Sequence, residues 1–87
     1  MSKEWQLVIH EPSMRTLLAA RARERVALFR VLDRLVANPS TKGNFTERDE
    51  TGRPIEVLVA KPWVVAYWTD SFVKELRIVR IEKIRPE

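Results

Sequence analysis

Eighty-seven residues suffice for one modest core and are too few for two, so a functional site has to lie on a surface or in a shallow groove. Sixteen Lys and Arg against 12 Asp and Glu give a formal charge of +4, which favours an acidic or polyanionic partner. The absence of cysteine excludes disulfides, thiolate metal sites and cysteine nucleophiles. It fits a cytoplasmic location, as does a start without a signal-peptide apolar region, and no apolar run approaches the roughly 20 residues that span a bilayer. At 45% hydrophobic and 32% charged, with two glycines, the chain reads as a single folded domain over residues 1–87.

Residues 5–10, WQLVIH, alternate with Trp5, Leu7 and Ile9 on one side and form a short predicted strand that ends at Glu11 and Pro12. Ser13 is the expected N-cap of a helical stretch, because residues 14–37 contain no Gly or Pro and many strong helix formers. At about 100° per residue, Leu28, Phe29, Leu32, Leu35 and Val36 make one apolar stripe, and Arg23, Arg30 and Arg34 lie opposite. The same phase carried backwards places Met14, Leu17 and Leu18 in the stripe, but also Arg21 and Arg25, and two unpaired buried guanidinium groups would be costly. A break within residues 20–24 resolves the conflict and predicts a helical hairpin.

Asn38, Pro39 and Ser40 end the second helix, residues 41–44 form a loop, and residues 45–49 suit a short edge strand before a turn at Glu50, Thr51 and Gly52. Three strand-like runs follow, at 55–59, 63–69 and 72–81, separated by turn chemistry at Lys61 and Pro62 and at Asp70 and Ser71. The expected architecture is therefore α+β: a helical hairpin packed on a small, mainly antiparallel sheet in the order β-α-α-β-β-β, with a possible further β. In the last run the apolar set changes sides, Leu76 and Ile78 sharing a face with Arg80, and Val79 and Ile81 with Arg77. A strand covered on both faces accounts for this, as does a β-bulge near residues 78–79. Trp63 and Trp68, five apart in one strand, point to opposite faces, so one of them is either exposed or covered by a bound partner or a second copy in a homodimer.

The element order, the helix-ending ANP at 37–39, the strand VVAYW at 64–68 and the closing KELRIVRIE at 74–82 together resemble the RelE/ParE superfamily of bacterial toxins. The segment ERDETGRPIEVLVAKPWVVAYWTDSFVKELRIVRIE, residues 47–82, looks like the small chromosomal RelE-like proteins. The resemblance implies a toxin paired with a wrapping antitoxin. RelE-like members cleave mRNA at the ribosome and ParE-like members inhibit DNA gyrase, so the expected activity is growth inhibition by a metal-independent endoribonuclease without a cofactor. Ribonuclease members usually carry an Arg in the strand before the family's aliphatic-Tyr pair, where this chain has Val64 and Val65, and a Tyr or His-Tyr element after the last strand, where residues 82–87 supply neither. A gyrase-binding toxin and a non-toxic antitoxin-binding module therefore stay open.

Cleavage by 2'-hydroxyl attack needs a proton acceptor, cations that hold the phosphate as charge develops, and a proton donor for the leaving oxygen. Arg80, Glu56, Tyr67 and Arg77 are the candidate catalytic residues, with Glu56 as base, the arginines on phosphate and Tyr67 as stacking platform or acid; Arg48, Arg53, Lys61 and Lys74 are candidates for substrate binding. Each has a plainer reading: Glu56 as a cross-strand ion pair, Tyr67 as a sheet aromatic, Arg80 as half of a structural ion pair. The helix arginines 23, 30 and 34 read as a solvated face, or as a seat for an acidic antitoxin segment or RNA backbone. His10 is the sole histidine, which excludes histidine pairs in catalysis or metal binding.

Overall fold

Alternation in the first strand, unbroken helix formers and three β-rich runs produce seven elements in the computed structural model, which describes residues 4–84. Residues 85–87, part of the tail that carries no Tyr or His, lie outside them. The elements are β1 (Gln6–Ile9), α1 (Glu11–Ala19), α2 (Ala22–Ala37), β2 (Phe45–Arg48), β3 (Pro54–Ala60), β4 (Trp63–Asp70) and β5 (Glu75–Lys83). They form one five-stranded sheet in the order β1-β5-β4-β3-β2, with β1 parallel to β5 and every other pair antiparallel. The predicted α+β architecture holds, with β2 at the edge as expected.

The helical hairpin breaks where the arginine conflict required. Ala20 and Arg21 are both extended, at ψ 151° and 154°. Arg25 Nη2 donates to the carbonyls of Leu18 (3.2 Å) and Ala20 (2.8 Å), so the guanidinium caps the end of α1 instead of entering the core. Glu24 Oε1 accepts from the Arg21 backbone N–H at 3.4 Å, which helps start α2.

Three local expectations are corrected. Helix α1 starts at Glu11, with His10 as N-cap and Pro12 in the first turn, where a missing N–H costs nothing; Ser13 is therefore inside the helix and buried, not a cap. The core stripe of α2 is Leu28, Val31, Leu32 and Leu35, rotated from the predicted one, and Phe29 is 41% exposed. The last strand starts at Glu75, because Ser71, Phe72, Val73 and Lys74 form the β4–β5 turn. Asp70 Oδ1 accepts from the Phe72 backbone N–H at 3.1 Å, and Lys74 takes φ +55°, a left-handed conformation that β-propensity alone does not anticipate.

The main core lies between hairpin and sheet: Leu17, Leu28, Val31, Leu32 and Leu35 pack against Trp63, Val65, Tyr67, Leu76, Ile78 and Ile81. Each such fully buried aliphatic contributes about 1.5–3 kcal/mol relative to exposure. Trp63 fills the helix side and donates Nε1–H to the Glu24 carbonyl at 2.9 Å. Ile55, Val57 and Ala66, joined by Val64, Trp68 and Val79, form a smaller cluster on the outer face. The two tryptophans thus take opposite faces, as the alternation predicted.

A β-bulge explains the change of sides in β5. Ala66 pairs with Arg80 and Tyr67 with Ile78, leaving Val79 without a partner. The extra residue keeps Leu76, Ile78 and Ile81 on the core side and brings Arg77 and Arg80 to the same outer face. β5 is also central, between β1 and β4. No helix among the described residues is long and apolar enough to cross a membrane.

Candidate functional site

The outer face carries the densest group of candidate residues. Arg80, from β5 next to the bulge, makes two hydrogen bonds to Glu47 of β2, Nη1 to Oε2 at 3.2 Å and Nη2 to Oε1 at 3.0 Å. Its Nε lies 2.6 Å from Glu82 Oε1. The Glu47 hydrogen bonds hold the Arg80 pKa above the usual guanidinium value despite partial burial. Register sets Glu47 on that face, where it pairs with Ile55, and it reaches Arg80 on the diagonal, since the partner of Ala66 on β3 is Val57, two residues beyond Ile55.

Two rungs away along β4, roughly 7 Å at strand rise, Trp68 pairs with Arg77. The Arg53 guanidinium lies over the Trp68 ring, 3.9 Å from its centroid, and that of Arg77 is 5.6 Å away. Arg77 is anchored to Glu75 at 2.5 Å, and Arg53 pairs loosely with Asp49 at 3.8 Å. Arg53, Arg77 and Arg80 thus share a surface with one indole ring.

Glu56 and Tyr67 lie on the other side of the sheet. They face each other across β3 and β4, and with Thr46 they hold the loop between α2 and β2. Tyr67 is 1% exposed and donates its hydroxyl to the Thr41 carbonyl at 2.8 Å; burial, with a smaller contribution from the Glu56 charge, pushes its pKa up to about 12. Glu56 accepts from the Gly43 backbone N–H at 2.7 Å and the Thr46 hydroxyl at 3.0 Å. The Gly43 hydrogen bond is the main reason its pKa is lowered, against some desolvation. Asn44 completes the attachment: its N–H donates to the Val57 carbonyl and its Oδ1 accepts from the Val59 N–H, both at 2.7 Å. The four candidate catalytic residues therefore form two pairs separated by the sheet.

The candidate substrate-binding residues also divide. Arg48, whose Nη1 donates to the Gly52 carbonyl at 2.8 Å, lies with Arg53 and Lys74 at the end of the sheet formed by the β2–β3 and β4–β5 turns. Lys61 is in the β3–β4 turn at the opposite end. His10 closes β1, its backbone N–H donating to the Ile78 carbonyl at 3.0 Å. Arg23, Arg30 and Arg34 are exposed. No cluster of His, Cys, Asp or Glu among the described residues could hold a metal ion. Glu47 escaped sequence reasoning because only the register of an edge strand and the bulge bring it to Arg80.

Two depressions flank these groups. A groove of about 560 Å³ runs between the end of α2 and β3, lined by Val31, Arg34, Leu35, Leu58 and Ala60 among others. A smaller one of about 300 Å³ lies beside the loop at 39–42, next to Glu56, Tyr67 and Trp68.

The fold is shared with solved structures. A chain of the toxin–antitoxin complex RelBE2 from Mycobacterium tuberculosis superposes with a TM-score of 0.76 at 16% identity, covering 93% of this chain and 99% of that one. A chain of the archaeal RelE-RelB complex from Pyrococcus horikoshii OT3 superposes with a TM-score of 0.73 at 12% identity, covering 93% and 96%. At such identities the likeness establishes the fold, and the RelE-like architecture expected from the sequence is borne out. No protein-family model matches the chain, and comparison with curated proteins gives no match.

Proposed function

We propose that this protein is the toxin of a type II toxin–antitoxin pair and acts as a metal-independent endoribonuclease on mRNA at the ribosome, in the cytoplasm. The observation that carries this reading is the convergence of Arg53, Arg77 and Arg80 with Trp68 on the outer face of a RelE-like sheet. Arg80 and Arg77 hold the scissile phosphate and stabilise the charge that develops as the 2'-oxygen attacks phosphorus and the 5'-oxygen leaves. Glu47, on the Nη edge of Arg80, takes the 2'-hydroxyl proton, and a solvent water protonates the departing 5'-oxygen, leaving a 2',3'-cyclic phosphate and a 5'-hydroxyl. Arg48, Arg53 and Lys74 extend the cationic surface at one end and Lys61 at the other. Glu56 and Tyr67 act indirectly, by fixing the loop at 41–44. The antitoxin sits in the apolar groove between α2 and β3, where Arg34 on its rim and Arg30 nearby on the same helix favour an acidic segment.

A gyrase-binding toxin is the second reading, and a specific observation favours it. Val64 stands on the outer face, opposite Glu82, so the arginine that ribonuclease members carry in this strand is missing from the surface that would need it. Expression in cells separates the readings. Rapid loss of mRNA with growth arrest, relieved by Arg80→Ala, supports the ribonuclease; arrest with a DNA-damage response and intact mRNA supports gyrase. Absence of arrest leaves a non-toxic antitoxin-binding module.

A further inference from the structure

The Arg53–Trp68 pair is built differently from the other cation sites on the outer face. Arg80 is gripped at its edges by Glu47 and Glu82, which leaves it suited to a phosphate that exchanges with a carboxylate. Arg53 is instead held by its face: the guanidinium lies over the indole at 3.9 Å, its carboxylate partner is a distant 3.8 Å, and 45% of its side chain is open to solvent. A planar cation fixed on one side by a ring and open on the other is a stacking platform, and nucleobases stack on guanidinium planes as well as on aromatic rings. Trp68 is itself fixed by the apolar cluster of Ile55, Val57 and Ala66 beneath the surface, so the platform does not have to be ordered on binding. Arg77, 5.6 Å from the same ring, supplies a cation for the adjoining phosphate.

We infer that Arg53, laid over Trp68 next to Arg77, is a stacking subsite for one unpaired nucleobase of an RNA strand whose phosphates follow Arg77 and Arg80. This rests on the RNA-directed reading of the outer face and adds base recognition to it. An RNA strand fits better than an acidic peptide, because a carboxylate would seek the edge of the guanidinium, and the edge of Arg53 already faces Asp49.

The test is binding of a short 2'-O-methyl RNA, which cannot be cleaved, and of the same strand with abasic residues, to the full chain and to Arg53→Lys and Arg53→Ala variants. Arg53 is exposed, so both variants should fold. Lysine keeps the charge and removes the plane. The subsite requires that the full chain prefer the base-containing strand by about fivefold or more, the low end of one stacked base. Arg53→Lys should erase most of that preference while leaving affinity for the abasic strand within about twofold, as expected when charge is kept. Equal binding of both strands by the full chain, or a loss in Arg53→Lys that is the same for both, would overturn the subsite while leaving RNA binding by the face intact. Loss of antitoxin capture in Arg53→Lys with unchanged RNA binding would reassign the platform to a protein contact. Failure of the full chain to bind either strand at low salt would remove the RNA-directed reading and the subsite together.

Discussion

Removing the Tyr67 hydroxyl should loosen one loop and leave the outer face untouched. Four contacts attach residues 41–44 to the sheet: Tyr67 Oη to the Thr41 carbonyl, Gly43 N–H to Glu56, Asn44 N–H to the Val57 carbonyl, and Val59 N–H to Asn44 Oδ1. In Tyr67→Phe the ring stays in the core, while a half-buried carbonyl loses its donor at 2.8 Å. A net hydrogen bond is worth about 0.5–1.5 kcal/mol and an orphaned buried acceptor adds to this, so a loss of about 1–2 kcal/mol is expected. For a domain of this size that corresponds to a fall in Tm of about 4–15 °C. Glu56→Gln weakens the neighbouring contact to Gly43, which is charge-assisted. Because both side chains secure the same loop, the two losses should fall short of additivity by about 0.5 kcal/mol or more in the double variant. Thermal and urea unfolding of the wild type, both single variants and the double variant form the cycle. Strict additivity would refute the shared-loop argument. The same variants test roles in chemistry: below their midpoints, both should retain arrest of growth, whereas a stable, folded Tyr67→Phe without activity would place the hydroxyl in the reaction after all.

Acid should weaken the same attachment. The folded pKa of Glu56 lies below the ordinary 4.5, so the unfolded chain takes up the proton first. Its contribution is then fully present above about pH 4.5 and is lost as pH falls through the lower folded value. Unfolding free energy followed from pH 6 downwards should decline less steeply in Glu56→Gln, and identical slopes would contradict this. Gly43→Ala should cost more than Gly52→Ala: a Cβ at Gly43 would stand 2.4 Å from the Val57 carbonyl oxygen, whereas Gly52, at φ +85°, has open space and only the left-handed backbone to penalise it. Losses of more than about 1–3 kcal/mol against about 1 kcal/mol are expected by chemical denaturation, and the reverse order would count against the close packing of the loop on β3. Glu47→Gln should change stability by under about 1 kcal/mol, since the pair with Arg80 is part-exposed. It should also tighten phosphate-dependent RNA binding measured at low salt, by freeing Arg80; weaker binding would show that Glu47 holds the arginine in its working position.

Much of the architecture was readable in residue order because local patterns and global packing agree. The stretch from Met14 to Val36 has no breaker, yet the charge of Arg25 would have entered the core of a single helix, and that conflict alone located the break that the capped carbonyls of Leu18 and Ala20 now explain. The edge position of β2 and the division of Trp63 from Trp68 followed from strand length and period-two alternation. The misplaced features are those set by the backbone of a single residue. Pro12 allowed α1 to begin before Ser13, and Lys74, at φ +55°, moved Phe72 and Val73 into a turn although both favour strands.

The site depended on tertiary structure more than the fold did. Sequence determined that this chain is a basic, cysteine-free α+β domain with one helical hairpin, three or four late strands and a basic excess in its helical region and last strand, because composition, periodicity and turn chemistry act within a few residues. It also left two accounts of the last strand, a doubly covered strand or a bulge, and these assign Arg77 and Arg80 differently. The tertiary structure decided between them: the unpaired Val79 sets both arginines on the outer face, the β2–β3 register brings Glu47 to one of them, and the sheet keeps Glu56 and Tyr67 on the opposite side. A one-residue change of register exchanges the faces of every residue beyond it, and register is fixed by partners far away in the chain.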